Sequence, residues 1–263
     1  MTHPSPFAHR YGPWALVTGA SSGIGAEFCR QLAARGLNII LAARRKDRLT
    51  VLAAQLTARH SVETRVVEVD LAQPDFLPVL DVDLDVGLVV SNAGFGTKGR
   101  FVDSDLAEMQ QMLDVNCRAT LILTHAFSKR LVARGRGGIL ITSSTAAFQG
   151  TPFSGHYAAT KGYGLQLAEA LWHELGEQGV DVLALCPGAT DTEGPRRTNT
   201  NLSKVPAGMM DVGPVVKEAL EGLGKKPVVI PGRVNQLGYL AVRMAPRRAA
   251  AAVAGKLMRR VIE

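Results

Sequence analysis

Short apolar runs alternate with longer amphipathic stretches along most of the chain. Runs at Trp14–Thr18, Asn38–Ala42, Thr64–Val69, Gly87–Ser91, Gly138–Thr142, Val180–Cys186 and Pro227–Ile230 predict strands. Most are continuously apolar, as parallel strands covered on both faces require. Between them, Ile24–Arg35, Arg45–Arg59, Leu106–Arg134, Ser154–Gln178 and Val212–Leu223 predict helices. This repetition predicts an α/β fold: a Rossmann-type, doubly wound parallel sheet of about seven strands with helices on both faces. No internal repeat or low-complexity linker divides residues 1–263, which predicts one domain. Two stretches break the rhythm. Residues 190–210, rich in Thr, Asn, Gly and Pro, predict a lid, and 232–263 predict a basic helical extension.

Composition narrows the class. With 46% hydrophobic residues, the chain is not a disordered one. No apolar run is long enough to span a bilayer. Cys29, Cys117 and Cys186 are scattered and lack metal-ligand spacing, which predicts reduced thiols and no metal. A formal net charge of +7 is moderate, and nucleic acid is not an expected partner. Residues 1–13 lack a signal-peptide profile, so the expectation is a soluble, cytoplasmic protein.

The first strand runs into Thr18-Gly19-Ala20-Ser21-Ser22-Gly23-Ile24-Gly25, which opens a helix. Glycines there let the backbone approach a pyrophosphate, and free N–H groups at the helix start favour its negative charge. Gly19, Ser21, Ser22, Gly23, Ile24 and Gly25 are therefore candidate dinucleotide contacts. The second strand ends in Ala43-Arg44-Arg45, with no acid until Asp47. An acid near this point would bind both ribose hydroxyls of NAD, whereas the Arg44 guanidinium suits a 2′-phosphate. NADP(H) is the expected cofactor, with NAD(H) as the alternative. Asp70, followed by Leu71, closes the third strand and is placed either to meet an adenine edge or to cap the following helix.

Tyr157 has a lysine four residues on, Lys161, and this spacing puts both on one helix face. A nearby ammonium favours phenolate over phenol, which would make the tyrosine a usable proton donor and acceptor. Polar and glycine clusters fall at the carboxyl ends of three predicted strands: Asn92-Ala93-Gly94, Ser143-Ser144 and Pro187-Gly188. Ligands bind at that edge in open parallel sheets.

Taken together, these features resemble the short-chain dehydrogenase/reductase family, in its shorter single-domain branch. The resemblance rests on Thr18–Gly25, Asn92-Ala93-Gly94, Asn116, Ser144, Tyr157-x-x-x-Lys161 and Pro187-Gly188-Ala189-Thr190-Asp191-Thr192, in family order over roughly residues 14–231. It implies an oxidoreductase that interconverts a carbonyl and an alcohol. Tyr157 would be the general acid or base, and Lys161 would hold the nicotinamide ribose and lower the tyrosine pKa. Ser144 would bind the substrate oxygen in preference to Ser143, and Asn116 would fix a water that relays protons from Lys161. Ser21, Ile24, Asp70, Asn92, Thr190 and Thr192 would contact the cofactor. Ser22 departs from the pattern, since many NADP-preferring relatives carry a basic residue there. Cofactor preference then rests on Arg44, with Arg45 as its helper. A homodimer or homotetramer is expected from the same resemblance.

Other residues have plainer readings. His156 is a weaker candidate acid, because neighbouring helix residues face different directions. Cys186 reads as a buried strand end. A catalytically silent NADP sensor is the rival function, and the full Asn116, Ser144, Tyr157 and Lys161 set favours the enzyme. For the tail, packing of Leu237, Leu240, Val242, Leu257 and Val261 against the body is expected over a membrane-surface role.

Overall fold

The computed structural model describes residues 5–80, 83–194 and 208–262. Seven strands form one sheet: β1 (Trp14–Thr18), β2 (Asn38–Ala43), β3 (Thr64–Glu68), β4 (Val86–Ser91), β5 (Gly137–Thr142), β6 (Val180–Leu185) and β7 (Val228–Val229). Their spatial order is β3-β2-β1-β4-β5-β6-β7, and every neighbouring pair is parallel. The chain runs outward from β1 to β3, then returns to begin again at β4. That reversal opens a crevice beyond the carboxyl ends of β1 and β4. The strand and sheet expectations hold to within about two residues at each end.

Helices follow from how the strands distribute their side chains. Alternate positions of β1 face opposite layers: Ala15 and Val17 join one core, Leu16 the other. The first layer packs α2 (Gly23–Ala33), α3 (Lys46–His60) and α8 (Val212–Gly222) on the sheet through Phe28, Leu32, Leu49, Leu56, Val216 and Leu220. On the other face, the single turn α4 (Leu77–Leu80) contributes Leu80, α6 (Ala119–Arg134) contributes Leu123 and Phe127, and α7 (Gly155–Gly176) contributes Leu165 and Ala168. Each fully buried Leu or Phe contributes roughly 1.5–3 kcal/mol, so the layers hold the strand ends in register. A short α1 (Pro6–Tyr11), absent from the sequence expectations, is fastened across the sheet's far edge by the Tyr11 hydroxyl, which donates to Asp181 Oδ2 at 2.6 Å.

Three expectations need revision. The helix predicted over Leu106–Arg134 is interrupted: α5 (Leu106–Leu113) passes through one π-helical turn, Asp114–Arg118, before α6 begins. The tail is two helices, α9 (Arg233–Met244) and α10 (Arg247–Ile262), parted at Ala245-Pro246 where proline removes a backbone donor. Its expected apolar stripe is mostly outside. Val261 is buried and Val242 half-buried, while Leu237, Leu240 and Leu257 are exposed. The face of α9 that meets the body carries Asn235 and Tyr239 instead. Of the proposed lid, 195–207 lie outside the described residues.

Candidate active site

The glycine turn is held from both sides. Thr18 Oγ1, at the end of β1, accepts from the backbone N–H groups of Asn92 and Ala93 at 3.0 and 3.1 Å. Asn92 Nδ2 donates to the Thr18 carbonyl at 3.0 Å, and Thr142 Oγ1 donates to Asn92 Oδ1 at 3.3 Å. The ends of β1, β4 and β5 are thus tied together around one asparagine. Gly19 adopts φ +67°, and a Cβ there would lie 2.9 Å from Asn92 Nδ2. A Cβ on Gly25 would collide with the Gly19 carbonyl oxygen. A Cβ on either would run into protein atoms, so both glycines let the turn pack closely on the start of α2, the tight strand-to-helix turn that a pyrophosphate site requires.

Arg45 lies on this turn. Its guanidinium donates to Ser21 Oγ at 2.9 Å and to Ser22 Oγ at 2.8 Å, and it pairs with Glu193 Oε2 at 2.7 Å. Arg48 pairs with the other Glu193 oxygen, and both cations hold that carboxyl below the usual carboxylate range. Arg44 is exposed at the end of β2. A depression of about 530 Å³ opens beside the turn, lined by Ser21, Ser22, Gly23, Arg48 and Asp191. Ile24 is half-buried against the core, and Leu71 is buried. Asp70 Oδ1 accepts from Ala72 N at 3.0 Å, closing a local turn, and the next helix begins only at Leu77.

Opposite the turn, β5 and α7 bring the second group of residues together. Tyr157 and Lys161 stand one turn apart on α7, with Nζ 5.9 Å from the centre of the phenol ring. Lys161 is buried, and Nζ donates to the Thr142 carbonyl at 2.9 Å. Burial lowers its pKa to about 8, so the ammonium persists at neutral pH and is lost as pH rises through that value. Burial also pushes the Tyr157 phenol above its ordinary range, and the nearby Ser144 hydroxyl pulls it part of the way back. Desolvation is the largest cause of that upward shift, and the Lys161 ammonium stands nearly 6 Å from the centre of the ring.

The two serines are used differently. Ser143 is buried and donates to the Lys161 carbonyl at 2.7 Å, tying β5 to α7. Ser144 is half-buried and caps the turn that follows, accepting from Ala146 N at 3.2 Å. Asn116 sits in the π turn, with its amide wholly engaged by protein atoms. Nδ2 donates to the Phe95 carbonyl and to Thr160 Oγ1, each at 2.9 Å, and Oδ1 accepts from Phe95 N at 3.1 Å. These bonds press the Gly94-Phe95 segment onto α7. A Cβ on Gly94 would come within 2.9 Å of both Asn116 Oδ1 and Lys161 Nζ, so no larger residue fits between them.

The third strand end completes the edge. The Pro187 carbonyl accepts from Thr145 N at 3.0 Å, and Thr190 Oγ1 donates to the Gly188 carbonyl at 3.0 Å. The Thr192 methyl covers Gly23, where a Cβ would lie 2.9 Å from it. His156 makes its 2.9 Å hydrogen bond with the Met109 carbonyl on α5, a packing role. Cys186 is buried, and its thiol is pushed up to about 12. Sequence reasoning missed one contribution: the tail packs on the segments that flank Ser144 and Tyr157 in the chain. Tyr239 of α9 packs on Phe148 with ring centres 4.4 Å apart, and Arg259 of α10 lies 5.5 Å from the Phe153 ring centre. Among the described residues, no group of three or more His, Cys, Asp or Glu side chains is placed to hold a metal.

Comparison with known proteins agrees with this layout. The short chain dehydrogenase family profile matches residues 13–203. A 7beta-hydroxysteroid dehydrogenase from Collinsella aerofaciens is 32% identical over 239 residues, covering 86% of this chain and 89% of the relative. A solved structure from work on 7beta-hydroxysteroid dehydrogenase stereoselectivity superposes with a TM-score of 0.86 at 29% identity, over 94% of this chain and 98% of that one. A short-chain dehydrogenase from Sphingobium yanoikuyae in complex with NADPH gives 0.78 at 33% identity, over 84% and 87%. By family match, fold and relatives, this chain belongs to the short-chain dehydrogenases, oxidoreductases acting between CH–OH and C=O groups.

Proposed function

We propose that this chain is an NADP(H)-dependent enzyme interconverting a bulky, apolar secondary alcohol and its ketone, with Tyr157 as the proton donor and acceptor. The observation that carries this reading is the convergence of Ser144, Tyr157 and Lys161 beside an aromatic rim of Phe148, Phe153 and Tyr239. The hydroxysteroid dehydrogenase relatives support a large alicyclic substrate, and the NADPH-bound relative supports the cofactor.

Residues Gly19–Gly25, Asn92-Ala93-Gly94, Lys161 and Pro187–Thr192 would hold the dinucleotide, with Asp70 and Leu71 at its adenine end. Arg45, joined by Arg44, would meet the 2′-phosphate. When bound, the cofactor supplies or accepts the hydride. Ser144 and Tyr157 donate hydrogen bonds to the substrate oxygen as charge gathers there, and the Tyr157 proton completes the alcohol. Lys161, cationic at neutral pH, stabilises the phenolate left behind. Asn116 is a positioning residue, holding Gly94-Phe95 and α7 at fixed separation.

The test is Tyr157→Phe, assayed by NADPH oxidation with a cyclic ketone. Turnover should fall by about 10²–10⁴-fold, while NADPH affinity stays within about twofold. Near-normal turnover by the folded variant would falsify the assignment.

A further inference from the structure

The positive charge of this protein is concentrated in one place. Residues 1–231 are nearly balanced, with 23 Lys and Arg against 22 Asp and Glu, whereas 232–263 carry seven against the single terminal Glu263. Those last residues form α9 and α10, which leave large apolar side chains in solvent. Val234, Leu237, Leu240 and Met244 share one face of α9, and Leu237 is 66% and Met244 85% exposed. On α10, Val253 and Leu257 lie one turn apart and are exposed, with Lys256 and Arg260 beside them.

From this arrangement we infer that α9 and α10 dock on an anionic lipid surface. Helices lying in the plane of a bilayer need an apolar face to enter the acyl boundary and cations to meet the headgroups, and both are present here. Among the described residues, no helix is long and apolar enough to cross a membrane, which fits attachment in plane. A second copy of the chain is the poorer occupant, because a two-fold contact through these helices would bring like charges together. The opposite face of α9 rests through Tyr239 on Phe148 at the rim of the site. A docked protein would therefore present that rim close to the bilayer, where apolar alcohols and ketones partition.

The full chain should sediment with vesicles of phosphatidylcholine containing about a quarter phosphatidylglycerol, and bind vesicles of phosphatidylcholine alone at least tenfold more weakly, on the order expected when several cations meet the surface. Binding should fall as salt rises. Leu237→Glu/Leu240→Glu should abolish binding, and Lys256→Gln/Arg260→Gln should weaken it, with circular dichroism and turnover of a water-soluble ketone unchanged. No sedimentation with the anionic vesicles would overturn the proposal, as would binding that Leu237→Glu/Leu240→Glu leaves intact. So would a dimer in sedimentation velocity that this double variant splits while vesicles are ignored. Failure here leaves the Tyr157 assignment standing, because the two readouts are separate.

Discussion

The two walls of the site are built in opposite ways. On the glycine-turn side, Thr18 and Asn92 bind each other and the backbone, and glycines allow separations that a methyl group would close. On the tail side, α9 and α10 meet the rim through a ring pair and a cation over a ring, with most of their large apolar side chains exposed. The first wall is fixed before any ligand arrives, and so suits a part of the ligand that never varies. The second has few polar commitments and can repack at low cost.

That contrast breaks down if substitutions on the two walls cost the same. Gly25→Ala should be the most damaging, since its methyl meets a backbone oxygen that cannot yield. A loss of roughly 1–3 kcal/mol in denaturant unfolding, with NADPH binding impaired, is expected. Arg45→Gln should come next. Charge-assisted phosphate contacts are worth roughly 1.5–3 kcal/mol, so NADPH affinity should fall about 10–100-fold while NADH affinity barely changes. Arg44→Gln alone should have the smaller effect, because the Arg45 guanidinium is the one on Ser21 and Ser22. Equal losses for both cofactors with Arg45→Gln would show that it supports the turn and not the phosphate.

A pH profile sharpens the tyrosine assignment without mutation. Burial holds the Tyr157 phenol protonated through neutral pH, so ketone reduction should be flat there and alcohol oxidation should climb with pH. Below the tyrosine pKa the phenolate fraction rises about tenfold per pH unit, and initial oxidation rates should follow it. An oxidation rate independent of pH between neutrality and mild alkali would contradict the assignment. Gly238→Ala should be the mildest change, because a Cβ there has nothing within 4 Å in α9. A gain of about 0.5–1 kcal/mol from helix propensity is expected in thermal unfolding.

Legibility along the chain follows the same division. Parallel strands covered on both faces read as nearly continuous apolar runs, so β1, β4 and β6 were plain in sequence, and with them the edge where Asn92, Ser144 and Gly188 gather. Periodicity also marked the apolar side of α9, but it says only that a helix has two faces. It does not say which one meets the body, and Tyr239 and Asn235 made that contact here. Sequence favours Arg44 for the phosphate and makes Arg45 its helper, whereas Arg45 is the one that lies on the turn. Adjacent residues at a strand end point apart, and the local path into α3 turned Arg45 toward Ser21.

The π turn at Asp114–Arg118 has a consequence for how the chain tolerates change. Such a turn is an α-helix carrying one residue more than its length needs. Deleting a residue there would let α5 and α6 run on as one uninterrupted rod, with Met112 and Leu123 still facing inward. The side chain now anchored to Phe95 and Thr160 would be lost or re-aimed. The scaffold can spare that surplus residue, and the proposed site cannot.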